Sequence, residues 1–123
     1  MKLQIRAMLQ DALPGIPIDW GARPQGSDYP GVVLTLASDQ GGHVFDGPDG
    51  TSVSRVQVDV YALGYGEASN LAGQIRAALD RYRSGNVMGT FRVAERDNRE
   101  GGSGEAERPW RISQDFEVHW RLA

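Results

Sequence analysis

The sequence predicts an α+β fold, a mostly antiparallel sheet packed against two helices in the order α-β-β-β-α-β-β, within one layered domain spanning residues 1–123. Two segments carry that reading. Residues 110–122, WRISQDFEVHWRL, alternate: Trp110, Ile112, Phe116, Val118, Trp120 and Leu122 share one parity, with only Gln114 out of place. Arg111, Ser113, Asp115, Glu117, His119 and Arg121 share the other. Side chains on a strand point alternately to opposite faces, so this is a long strand with one buried and one charged face. Residues 66–83 have a different period: Ala68, Leu71, Ala72, Ile75, Ala78, Leu79 and Tyr82 make the apolar stripe of an amphipathic helix. The chain's 16 glycines and 6 prolines supply turns between such segments.

The remaining elements follow in order. Residues 2–13 set Ile5, Met8, Leu9, Ala12 and Leu13 at helical spacing, and Pro14 stops that helix. IPIDW at 16–20 alternates Ile16, Ile18 and Trp20, a short strand placed at a sheet edge by Pro17. VVLTLA at 32–37 is apolar on both parities and therefore reads as a central strand. Turn-forming residues fill 38–50. In the strand 52–63, Val56, Val58, Val60 and Ala62 form one face and Arg55, Gln57, Asp59 and Tyr61 the other. The long helix has Glu67 in its first turn and Arg81 and Arg83 in its last, as the helix dipole favours, with Gly85 as a stop. Residues 87–95 form a strand with a bulge expected at Gly89, and 96–108 is a charged, glycine-rich loop.

Composition narrows the function. The chain of 123 residues is 40% hydrophobic and 24% charged, which is enough apolar material for one core. A formal charge of −3 argues against a dedicated nucleic-acid binder. Lys2 is the only lysine, so the positive charge is almost all arginine, suited to bidentate pairing across interfaces. With no cysteine there is no disulfide, thiolate metal site or thiol nucleophile. The N-terminal stretch is broken by Gln4, Arg6 and Gln10, which gives no signal-peptide pattern, and no apolar run is long enough to span a bilayer. The expectation is a soluble protein that stays where it is made.

Catalytic patterns do not emerge. His43 and His119, the two histidines, lie in no metal-ligand spacing. His119 sits between Glu117 and Arg121 on the charged strand face and reads as a cross-strand partner. His43 with Asp46 and Asp49 suggests a cation loop, but the spacing misses the calcium pattern and the Asp-Gly pairs suit tight turns. GGSGEAERPW leads into a strand where a phosphate loop would open a helix, and Glu67 would repel an anion at the start of the long helix. Trp20, Trp110 and Trp120 fit core packing better than a stacking platform. The expectation is a protein that is not an enzyme, with no cofactor and no metal.

Several segments together resemble the tail-completion, or tail-terminator, proteins of long-tailed phages and gene transfer agents. They are the opening helix, IDWGARPQGSDYPGVVLTL with its Tyr29-Pro30 pair, RVQVDVYALGYGEASNLAGQIRAALD and RISQDFEVHWRL. The resemblance implies a structural subunit of the virion tail or neck, assembled in the host cytoplasm. It would form a ring, commonly a hexamer, that caps the tail tube and joins it to the head–neck stopper or connector. DNA would pass through without sequence-specific binding, and an acidic subunit suits such a conduit, because phosphate attraction supplies most nonspecific affinity. No membrane is implied and no catalytic residues are carried over. The charge-rich 96–108 segment departs from the pattern. Another head–tail component, a stopper or tube subunit, is the alternative, followed by a small-ligand binding domain or enzyme.

The candidate subunit interface is the charged strand face: Arg55, Asp59, Arg111, Glu117, His119 and Arg121. Candidate contacts to neck or tube lie in the two polar loops, at His43, Val44, Phe45 and Asp46 and at Arg99 and Glu100.

Overall fold

The computed structural model describes residues 2–23, 29–39, 51–83, 85–99 and 109–121. The elements are α1 (Lys2–Ala12), β1 (Ile18–Trp20), β2 (Gly31–Asp39), β3 (Thr51–Ala62), α2 (Tyr65–Leu79), β4 (Val87–Arg99) and β5 (Trp110–Arg121). This is the α-β-β-β-α-β-β order read from the sequence. The five strands form one sheet in the order β1-β2-β3-β5-β4. Only the β1–β2 pair is parallel; β2–β3, β3–β5 and β4–β5 are antiparallel. The closing strand therefore lies inside the sheet, and the strand before it forms an edge.

Both helices pack on one face. Ile5, Leu9 and Leu13 from the first helical segment and Ala68, Leu71, Ala72, Ile75 and Leu79 from α2 meet Val56, Val58, Val60, Ile112, Phe116 and Val118 in one core. The parity read from 110–122 holds: Phe116 is fully buried, and Trp110 and Trp120 pack at the margin of the core. The indole Nε1 of Trp120 donates to Ser54 Oγ at 2.9 Å, so the partly buried ring keeps its polar end satisfied. Trp20 also packs against the core, and its indole donates to the Lys2 carbonyl at 3.3 Å.

Gln114 is the exception to the apolar parity, and it too is fully buried. Its Nε2 donates to the Ala72 carbonyl of α2 at 2.8 Å, tying helix to sheet through the core. A buried amide N–H requires such a partner, and the helix carbonyl provides it, while Oε1 has no hydrogen-bond partner among the described residues.

Three boundaries differ from the sequence reading. The helical stripe runs to 83, but α2 ends at Leu79. Arg81 takes a left-handed φ of 63°, and its N–H donates to the Thr90 carbonyl, so the chain turns onto β4 before the stripe is complete. Asp80 reinforces the turn by accepting the Arg92 N–H on Oδ1 at 3.3 Å. Tyr82 still packs against the core from beyond the helix, and Gly85, at φ 57°, serves the next turn. The second difference is in β4, which continues through Arg99, because each residue from Glu95 to Arg99 finds a partner on β5. Third, Ser38 and Asp39 extend β2, paired with Arg55 and Ser54, where turn chemistry alone suggests a loop. The bulge expected at Gly89 is present as a register shift between Val87 and Gly89, and a second shift falls between Arg92 and Ala94.

Candidate assembly interface

The face of the sheet opposite the helices is built from the polar parities of β3 and β5. Register sets Arg55 against Glu117, Gln57 against Asp115, Asp59 against Ser113 and Tyr61 against Arg111. On the outer side, Phe91, Ala94 and Arg96 of β4 pair with Glu117, Asp115 and Ser113. Charged residues on three strands are thereby brought into one two-layered patch.

The lower layer is acidic and enclosed. Asp59 is 4% exposed and Asp115 9%. Asp59 accepts from the Ser113 hydroxyl and from Gln57 Nε2 at 3.1 and 3.0 Å. Asp115 Oδ2 accepts from Arg55 at 3.4 Å and from Arg96 at 3.2 Å. Arg96 also donates to Gln57 Oε1 at 3.1 Å, which closes the network across three strands. The upper layer is formed by the half-exposed Arg55 and Arg96 side chains. The sequence suggests a uniformly open charged face, whereas Ser113, Asp59 and Asp115 are buried in it. For Asp115 the reason is the reach of arginine, since Arg55 and Arg96 on the two neighbouring strands extend over it and pair with it, while Asp59 is held by Gln57 and Ser113.

The candidate interface residues are therefore not equivalent. Arg55 and Arg121 are exposed; Arg111, Glu117 and His119 are half-buried; Asp59 is buried and held by its neighbours. His119 Nε2 lies 2.8 Å from Glu117 Oε1, and its ring meets Phe91 edge-on at 5.5 Å. The Glu117 contact lies within β5, and the Phe91 contact is the one that crosses to the neighbouring strand. Phe91, 46% exposed, adds an apolar element to the patch that strand parity alone did not single out. Arg96, read from the sequence as part of a loop, is a central member. Of the candidate loop contacts, His43, Val44, Phe45, Asp46 and Glu100 lie outside the described residues, and Arg99 is described only as the last backbone position of β4.

Among the described residues, Asp59 and the Oδ2 atom of Asp115 accept from donors of their own chain, Asp115 Oδ1 has no hydrogen-bond partner, and His119 faces Glu117 at the rim with no hydroxyl bonded to it. Among the described residues, no group of three or more His, Asp or Glu side chains is placed to hold a metal ion. No helix among them is long and apolar enough to cross a membrane.

A family model described as "Tail completion protein gp17" matches residues 3–120. Among solved structures, a chain from one described as "Virion of native gene transfer agent (GTA) particle" superposes with a TM-score of 0.63 at 17% identity, covering 98% of this chain and 90% of that one. No curated protein matches.

Proposed function

This chain belongs to the tail completion protein gp17 family, and from that premise we propose that it is a structural, non-enzymatic tail terminator. In this reading, copies close into a ring at the end of the tail tube and join it to the head–neck connector. The open sheet face supports the reading most directly. Asp115 is neutralised from within by Arg55 and Arg96, Asp59 is held by Gln57 and Ser113, and the face presents mixed charges with an exposed Phe91. A surface of that kind suits contact with other protein subunits, since it offers pairing groups of both signs and some apolar area. Head-to-tail contacts between identical copies close into a ring when the rotation divides a full turn. The acidic balance of the chain suits a channel through which DNA slides.

Reversing Arg111 and Arg121 to Glu tests the reading. The expected result is a folded monomer with an unchanged far-UV spectrum and a loss of DNA-retaining tails in a particle-assembly assay. Full recovery of such tails with both reversals would leave this face as a solvated surface.

A further inference from the structure

The two outer edges of the sheet, followed row by row, match each other. One row runs Trp20–Leu34–Val58–Gln114–Glu95, the next Asp19–Val33–Asp59–Ser113–Arg96, and the third Ile18–Val32–Val60–Ile112–Asp97. All of β1 is thus level with the stretch Glu95–Asp97 of β4. A head-to-tail ring without helical rise needs its two mating edges at the same height, and these are. Strand direction also agrees. With β1 parallel to β2 and every later pair antiparallel, β1 and β4 run in opposite senses, so a rotated copy would bring β1 antiparallel to the β4 of its neighbour.

The charges on these rows are complementary on both faces of the sheet. On the open face the terminal residues of the middle row are Asp19 and Arg96. On the helix face the signs are exchanged. There, α1 sets Lys2 over the Trp20 ring at 5.4 Å, and Arg6 Nε donates to the Ile18 carbonyl at 2.9 Å. At the far end of those rows stand Glu95 and Asp97. Arg76 and Arg92 both hold the same oxygen of Glu95, Oε1, only loosely, at 3.7 and 3.9 Å, and Asp97 accepts from Tyr65 on Oδ2, so both acids can take a further donor. Apolar surface flanks each edge: Leu3, beside Lys2, is 80% exposed, and Val93 is 49% exposed. The upper part of the β4 edge is less available, because Arg81 and Asp80 already engage Thr90 and Arg92. The open stretch of the edge is therefore the part level with β1.

We propose that a second copy of this chain is the occupant of these edges: β1 and the start of α1 of one copy dock against Glu95–Asp97 of the next. Lys2 then faces Glu95, Arg6 faces Asp97 and Asp19 faces Arg96. The inference rests on the ring reading above and names the surface that closes the ring, leaving the open sheet face to the tube or neck. A three-residue strand and three charge pairs, in two of which one member is half-buried, make a weak contact, so isolated copies stay apart and rings form at high concentration or on a tube.

The test is a charge exchange, with rings of the full chain read by native mass spectrometry over a concentration series, alone and on tail tubes. Lys2→Glu or Glu95→Lys alone should raise the concentration at which rings form about tenfold, because each puts like charges together at every contact. The double variant should restore the starting value. As an independent readout, Asp19→Cys combined with Arg96→Cys, in a chain otherwise free of cysteine, should give on oxidation a ladder ending in a closed ring. Rings that form with neither a single-variant defect nor a cross-link would overturn the edge assignment and leave the ring reading intact. Absence of rings from the unaltered chain in every condition would remove both.

Discussion

The two faces of the sheet bury similar strands by different physics. Against the helices, Val56, Val58, Val60, Ile112, Phe116 and Val118 are enclosed by apolar side chains, and one amide, Gln114, is enclosed with them. On the other face, Asp59, Ser113 and Asp115 are nearly as enclosed, yet beneath arginines and a glutamine. The apolar face holds the fold, since burial of such side chains is the main favourable term in folding. The polar face adds little net stability, since ion pairs with half-exposed arginines are screened, but it fixes where guanidinium groups stand on the surface. The first face thus serves folding, and the second is free to present charged groups to other subunits.

That contrast predicts a graded series of losses. Phe116→Ala, at the centre of the apolar face, should cost ~3–5 kcal/mol in denaturant unfolding as a buried aromatic truncation. A cost below about 1 kcal/mol would mean that the site collapses around the smaller side chain and that the core is not centred there. On the polar face, Asp115→Ala should cost ~1–3 kcal/mol, discounted because Arg55 and Arg96 return to water when the carboxylate is removed. A loss as large as that of Phe116→Ala would show both faces contributing equally to the fold. Arg121→Glu, at the exposed end of β5, should shift unfolding by no more than ~0.5 kcal/mol while reducing tail assembly.

The smallest effect in the series depends on pH. The Tyr65 hydroxyl donates to Asp97 Oδ2 at 2.7 Å, and its ring packs edge-on against Trp110 at 5.0 Å. The hydrogen bond and the negative charge of Asp97 raise the Tyr65 pKa above its usual 10.0. The folded state thus holds this proton more tightly than the unfolded chain. The contribution is complete below pH 10, the unfolded value, and is lost as pH rises through the raised folded value. Tyr65→Phe should remove that alkaline dependence with little change at neutral pH, as read by phenolate absorbance and unfolding midpoints. An unchanged titration of tyrosine absorbance would show that the hydroxyl is not held in solution.

Much of the apolar face was legible in the sequence, because strand parity and helical stripe are local. Val56, Val58 and Val60 lie two apart, and α2 repeats on one side, so neither needed a neighbour to be read. The polar face was legible only in part. Arg55 and Glu117 were placed on it by alternation, but the burial of Asp59 and Asp115 depends on which residues stand beside them on β3, β5 and β4. That register is a long-range property. Arg96 was missed for the same reason: a glycine-rich charged segment looks like a loop until β5 supplies a partner for each residue from Glu95 to Arg99. The end of α2 was misread because a left-handed Arg81, set by its bond to Thr90, interrupts a stripe that continues to Tyr82.

We propose that this protein closes a ring at the end of a tail tube. Averaged electron-microscope images of tail tubes mixed with the purified chain test it most directly. The predicted result is a single closed ring of copies at one end of each tube, with the rest of the tube bare. Copies spread along the tube, or single copies bound at its tip without closure, would contradict it.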